Sequence, residues 1–171
     1  MAKPIIAAVN GIAAGAGFSV ALAADFRLMA ESAVLRQMYT SWGLCIDGGG
    51  TFTLPRLVGQ ARALEIAAFD EPVSATKALE WGLANRVVPD DQLLDAAMAM
   101  ARALRERSLH SFGRAKQLIE RSYETSLETQ LERERHAITA CVQHPDALEG
   151  VTAFMEKRKP VFNRSRPSEA R

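Results

Sequence analysis

The sequence predicts an α/β fold over residues 1–90, a helical subdomain over 91–160 and a polar tail over 161–171. Between Pro4 and Thr51, two glycine-rich turns each lead into a helical stretch and flank one strand-like segment. Near Asp90 the apolar pattern changes from short β-branched runs to helical spacing, which places the second half in helices.

Each element has its own signal. Pro4 to Val9 is a short apolar run with β-branched residues, so it reads as a strand, and Asn10-Gly11 reads as the turn that ends it. The tiny residues up to Gly17 continue that turn, and Phe18 to Phe26 reads as a buried helix start. Asp25 to Ala30 is a second strand, and Ala33 to Met38 a third extended piece. After the second glycine turn, Gly43 to Thr51, a short helix is expected through Leu57. Ala61 to Phe69 and Ala75 to Trp81 are helices, the latter capped by Ser74 and closed by Gly82. Arg86-Val87-Val88 is an edge strand or an extended connector.

Leu93, Leu94, Ala97, Met98, Ala101 and Leu104 then repeat at helical spacing, and Ser111 to Arg121 forms a second helix. Thr125-Ser126-Leu127-Glu128 is a capping box leading to Leu131, Ile138 and Val142. Pro145 fits the first turn of a last helix, Asp146 to about Lys157, and the chain after Pro160 is expected to be loose.

The composition excludes several classes. With 171 residues, 48% apolar, one domain with a core can form. A net charge of +1 gives no nucleic-acid footprint. No apolar run reaches membrane-spanning length and no signal peptide opens the chain. Cys45 and Cys141 lie far apart without metal spacing, as reduced thiols of a cytoplasmic protein would. His110, His136 and His144 also lack metal spacing and read as structural or surface residues, so no metal is expected. Glu132, Arg133, Glu134 and Arg135 read as a solvated face. Lys157, Arg158, Lys159, Arg164 and Arg166 form either a solvated basic tail or a phosphate contact.

Two positions carry candidate chemistry. Gly15 and Gly17 would permit backbone angles that side chains forbid and allow close approach of a ligand. The following helix start has N–H groups without helical partners, so an N–H at Ala16 can donate to a carbonyl oxygen that gains charge. The same spacing also suits an ordinary strand–turn–helix, and G-x-G-x-x-G is not met. Asp47 is either the N-cap of the next helix or a general acid/base. In the second case its apolar neighbours Trp42, Leu44, Cys45 and Ile46 would desolvate the carboxyl and raise its pKa.

Lys3-Pro4 through Asn10-Gly11, Ala23-Ala24-Asp25-Phe26-Arg27, Gly43 to Thr51, Ser74 to Leu83, Val87-Val88-Pro89 and Glu149 to Arg158 together resemble the enoyl-CoA hydratase/isomerase (crotonase) superfamily. The resemblance runs from Lys3 to about Asn163. Gly43-Leu44, Asp47, Gly49-Gly50-Thr51 and Leu54-Pro55-Arg56, with Ala13 to Gly17 and Leu127 to Glu134, are most similar to the ring 1,2-epoxyphenylacetyl-CoA isomerase group.

The resemblance implies a crotonase-like (ClpP/crotonase) fold that binds acyl-CoA thioesters and polarises their carbonyl with two backbone N–H groups. Ala16 stands where one donor comes from. The other donor, and much of the adenine-binding surface, belong upstream of the Lys3-Pro4 strand, so an N-terminally truncated fold is expected. Ser19 and Tyr39 stand where the hydratase branch has two glutamates, so no hydratase activity beyond trace is expected. Asp47 stands where isomerase branches carry their acid/base. The implied activity is isomerisation of a double bond or an epoxide through a thioester enolate, within fatty acid or phenylacetate metabolism. The alternatives are an aryl-CoA dehalogenase-like or hydrolase-like enzyme with Asp47 as nucleophile beside Tyr39, or an inactive fragment or assembly subunit. Gly15, Gly17, Tyr39, Gly50, Phe154 and Lys157 are the implied substrate contacts, although Phe154 also fits core packing. No cofactor is implied beyond the coenzyme A of the substrate. The helical subdomain implies a homo-oligomer, a trimer or dimer of trimers.

Overall fold

In a computed structural model, residues 2–163 are described; most of the polar tail, including Arg164 and Arg166, lies outside them. The chain divides into two units, Ile5–Met100 and Met1–Pro4 with Ala101–Arg171.

In the first unit, the apolar run after Pro4 forms β1 (Ile6–Val9), and Asn10-Gly11 ends it. The tiny residues that follow do not stay a turn. Ile12–Ala14 is a second strand, β2, in a different sheet, and α1 (Ala16–Ala23) starts only after it. The helix also stops short of the expected Phe26, which opens β3 (Phe26–Ala30). After β4 (Val34–Arg36) comes α2 (Gly50–Phe69), where Gly59 leaves helical geometry at φ 74°, ψ 165°. That break divides α2 into the two helices expected before and after it. β5 (Val73–Ser74), α3 (Ala75–Glu80) and β6 (Arg86–Val88) follow. The Ser74 hydroxyl accepts from the Lys77 N–H, and Gly82 closes the segment at φ 77°.

One sheet runs β1-β3-β6, all parallel, with Ile6 opposite Phe26 and Leu28 opposite Arg86, which leaves β6 on the edge. The other pairs β2 parallel to β4 and β4 antiparallel to β5. Phe18 and Leu22 of α1, Leu28, Leu35, Leu54 and Leu83 are buried together in this unit's core. Each contributes about 1.5–3 kcal/mol relative to exposure. Arg27 is buried among them: its Nε donates to Leu83 O at 2.6 Å and its Nη1 to Leu22 O at 3.2 Å and to Ala24 O. The guanidinium thus satisfies carbonyls left open at the end of α1.

The helices after Asp90 are as expected. α4 (Leu93–Arg105) crosses the boundary between the units. In the second unit, α5 (Leu109–Arg121), α6 (Leu127–Val142) and α7 (Pro145–Met155) follow, with Pro145 in the first turn of α7. The cap of α6 is Ser126, which accepts from the Thr129 N–H at 3.3 Å, rather than Thr125 of the expected box. A Cβ on Gly113 would lie 2.7 Å from Ala2 O, so that glycine lets α5 approach the backbone at Ala2.

His110 and His144 stack at 4.1 Å with an interplanar angle of 10°, a structural pairing. The chain just after Pro160 is tied down, not loose. Val161 N–H donates to Glu149 Oε1, and Asn163 bonds Asp146, Arg105, Arg107 and Leu109. In the basic segment, Arg158 is committed to Glu149 and Glu156.

Candidate active site

Gly15 is the N-cap of α1 at φ 55°, a left-handed angle that favours glycine. Its N–H donates to Arg36 O at 3.1 Å, which ties the turn to β4. Ala16 then opens α1, so its N–H has no helical carbonyl to bond, and the residue is exposed. Gly17 differs from expectation: its φ is not positive, and a Cβ there would meet nothing within 4 Å. Its backbone does not require glycine. The open space leaves the helix start accessible.

Tyr39 is half-buried and faces this turn. Its Cζ and hydroxyl lie 3.8 and 3.9 Å from the position a Gly15 Cβ would take. The hydroxyl donates to Asp47 Oδ1. That bond to Asp47 is the main reason the phenol's pKa is raised above its usual 10.0. Gly15, Tyr39 and Asp47, with Ala16 next in the chain, thus form one contiguous surface.

Asp47 departs from expectation in its cap role and in its surroundings. It is not the N-cap of α2: that residue is Gly49, at φ 81°, without a side-chain cap bond. Nor is it desolvated. Asp47 is exposed, and Trp42 and Leu44 are 70% and 56% exposed, so the apolar neighbours do not enclose the carboxyl. What its carboxyl does meet is the Tyr39 hydroxyl.

The backbone of Asp47 is firmly held. Asp47 O accepts from Gly50 N–H at 3.0 Å and from Ser19 Oγ at 2.8 Å. Ser19 is fully buried on α1. A Cβ on Gly50 would lie 2.6 Å from both Ser19 Oγ and Ile46 Cγ2. Gly50 therefore serves the close seam between α1 and α2.

Sequence reasoning missed the support of Tyr39. Asp70, buried at the left-handed end of α2 (φ 51°), accepts from Met38 N–H at 2.7 Å, from the Ser41 hydroxyl and from Arg36 Nη2 at 3.3 Å. Burial pushes the Asp70 carboxyl up, but the bonds from Ser41, Met38 and Arg36 together hold it below its usual value. Buried Gln37 accepts the Tyr39 N–H at 3.0 Å and donates to Ala67 O at 3.1 Å. The strand-to-loop segment carrying Tyr39 is thus clamped to the end of α2. No local pattern announces contacts spanning some thirty residues, although an aspartate directly after a helix is a usable hint.

Phe154 and Lys157 belong to the helical unit. Phe154 is 84% exposed, which excludes its core-packing reading, and Lys157 follows α7 at φ 54°. A pocket of about 240 Å³ lined by Glu65, Phe69, Lys77 and Trp81 lies in the first unit and includes neither Ala16 nor Asp47. Among the described residues no group of three or more His, Cys, Asp or Glu side chains is placed to hold a metal, and no helix is long and apolar enough to cross a membrane.

Residues 1–165 match the family model described as Enoyl-CoA hydratase/isomerase. The chain belongs to the enoyl-CoA hydratase/isomerase family. Within it, the chain is 42% identical over 160 residues to 1,2-epoxyphenylacetyl-CoA isomerase of Escherichia coli (strain K12), covering 94% of this chain and 61% of that protein. It is 42% identical to a probable enoyl-CoA hydratase of Rhodobacter capsulatus, covering 93% and 62%. The crystal structure of an enoyl-CoA hydratase from Polaromonas sp. JS666 superimposes with a TM-score of 0.90 at 39% identity, covering 95% of this chain and 63% of that one. The fold is the crotonase fold, and this enoyl-CoA hydratase/isomerase chain spans less than two thirds of the length of these relatives.

Proposed function

We propose that this chain supplies the acid/base side of an acyl-CoA site that isomerises an unsaturated or epoxidised acyl thioester through its enolate. The observation that carries the reading is the Tyr39–Asp47 hydrogen bond beside the open N–H at Ala16. The thioester carbonyl would accept from Ala16 N–H, which stabilises the enolate oxygen. Asp47 would take an α- or γ-proton and return it to another carbon. An exposed carboxylate is reachable by substrate, and the Tyr39 bond fixes one of its oxygens. Coenzyme A would enter as part of the substrate, with Phe154 and Lys157 among its contacts, and the working form would be a homo-oligomer in the cytoplasm.

Hydration has less support. Ser19 is buried and bonded to the backbone of Asp47, and Tyr39 is spent on its carboxylate, so neither offers a second carboxylate to activate water. A second reading has Asp47 Oδ2 as nucleophile on an aryl-CoA carbon, displacing halide. The same Tyr39 bond to Oδ1 favours it by orienting the carboxylate.

A panel of acyl-CoAs separates these readings. We expect double-bond or epoxide isomerisation, no more than trace conversion of crotonyl-CoA to its 3-hydroxy product, and no halide release. Asp47→Asn is expected to lower turnover by about 10²–10⁴-fold, the usual share of acid–base catalysis, while thioester binding persists. Efficient hydration, or an unchanged rate in Asp47→Asn, would rule the reading out.

A further inference from the structure

Within the helical unit, a groove of about 290 Å³ lies between α5 and α6. Arg114, Gln117 and Arg121 line it from α5, spaced three and four residues apart and hence on one helix face. Arg133 and His136 line it from α6, again three residues apart. Gln130 of α6 donates to the carbonyl of Leu118, itself a lining residue, at 3.3 Å, which joins the two helices there.

The charges around the groove are sorted. Glu120 pairs with Lys116, and Glu132 pairs with Arg135 and His136. The hydrogen bond from Arg135, opposed by desolvation and helped by the charges of Arg135 and His136, holds the Glu132 carboxyl at about 2, so that charge is committed. Glu134 lies 3.5 Å from the Gln130 amide. Among the described residues, the side chains of Arg114, Arg121 and Arg133 have no hydrogen bond or ion pair. A single solvated arginine would mean nothing. Three without a carboxylate partner, converging on one concavity of a chain with 21 basic and 20 acidic residues, leave a local positive field for an anion to neutralise.

We propose that this groove binds a phosphate-bearing small molecule, held by the guanidinium groups of Arg114, Arg121 and Arg133. The planar guanidinium fork matches phosphate oxygens in pairs, and three such forks suit a multiply charged group better than a lone carboxylate. Gln117 adds a neutral donor. The volume fits a diphosphate or the phosphate end of a nucleotide. The carboxylates of Glu120, Glu132 and Glu134 flank these positions along the two helices, which confines the positive field and disfavours an extended polyanion or a membrane. The proposal does not depend on the role of Asp47.

Calorimetric titration of the full chain at low salt tests it, with inorganic pyrophosphate, adenosine 3′,5′-bisphosphate and coenzyme A as probes. Arg121→Gln and Arg133→Gln each remove one charge from the groove, and Arg102→Gln removes one from the exposed side of α4. We expect saturable binding that each groove variant weakens about tenfold, as loss of a charged hydrogen bond does, with the double variant silent and Arg102→Gln unchanged. Coenzyme A binding more tightly than pyrophosphate would identify a carrier's own phosphates as the ligand, and equal affinity would identify free phosphate compounds; either supports the site. Absence of saturable binding, or equal weakening by Arg102→Gln, would overturn it. So would groove variants that change only the sedimentation of the protein, since the groove would then be a contact between copies. Thermal melts of each variant separate loss of binding from loss of fold.

Discussion

The hydroxyl of half-buried Tyr39 donates to Oδ1 of exposed Asp47. The bond makes the phenol a fixed donor and leaves Asp47 Oδ2 outside it. It also gives the site a spectroscopic handle.

Absorbance titration of the protein against Tyr39→Phe isolates the Tyr39 phenol. Its midpoint is expected above 10.0, because the bond to Asp47 favours the protonated form. The folded value is raised, so any stability the bond contributes is complete below the ordinary value and is lost as pH climbs through the raised one. In Asp47→Asn the midpoint should move back toward 10.0. A midpoint unaffected by Asp47→Asn would mean that the bond does not persist in solution.

Asp70→Asn is expected to destabilise the protein at neutral pH by about 1–3 kcal/mol, the cost of weakening a buried, charge-assisted set of bonds. The Asp70 carboxyl is held below its ordinary 3.8, so its contribution is present above that value and fades as pH falls through the lower folded one. Urea unfolding of variant and parent should therefore converge in acid. The Tyr39 midpoint should also fall in Asp70→Asn, since Met38 and Ser41 lose their anchor. An Asp70→Asn protein with the parent's Tyr39 titration would show that the clamp does not govern the site.

Gly50→Ala is expected to cost about 1–3 kcal/mol, as overpacking does, because its methyl meets Ser19 Oγ and Ile46 Cγ2. Ser19→Ala alone should cost about 0.5–1.5 kcal/mol for the lost bond to Asp47 O. Combined, the two should cost less than their sum, since removing Oγ relieves half of the clash. Strict additivity in denaturant midpoints would argue against this seam.

The helical unit is expected to associate with itself. Leu127, Leu131, Ile138 and Val142 of α6 are exposed, as are Leu148, Val151, Phe154 and Met155 of α7. Such apolar surface tends to be covered by a partner. Sedimentation at micromolar concentration should show an oligomer, and Leu131→Asp with Ile138→Asp should shift it toward monomer. A monomeric parent protein would sink this expectation.

Much of the fold was legible because its signals are local. Ser74 before a helix, Pro145 in a first turn and the β-branched pair Val87-Val88 need no distant partner to be read. β2 was missed because Ile12-Ala13-Ala14 owes its strand state to β4 rather than to propensity, and tiny residues read as a turn. Ser126 displaced Thr125 as a cap because adjacent hydroxyls compete, and the pattern cannot rank them. At the site, the turn before Ala16 and the loop carrying Asp47 were read from position, and Tyr39 joins them. The surroundings of Asp47 were misjudged because neighbours in sequence do not reveal which side chains turn outward. Asp70, Gln37 and Arg27 act across the chain, and their polar bonds leave no periodic trace.

The two-residue link Asn10-Gly11 between β1 and β2 sets where this chain can change length. Gly11 O also accepts from the Val34 N–H at 3.1 Å, so the link is pinned on both sides. One inserted residue would turn every side chain of β2 to the opposite face or break its pairing with β4. The stretch from Gly43 to Ile46 belongs to no sheet: its bonds, Gly43 N–H to Thr40 O and Leu44 N–H to Tyr39 O, are local, and it ends one residue before Asp47. Insertions and deletions can accumulate there while both sheets keep their register. A lineage of such chains can therefore reshape the wall beside the carboxylate without having to refold.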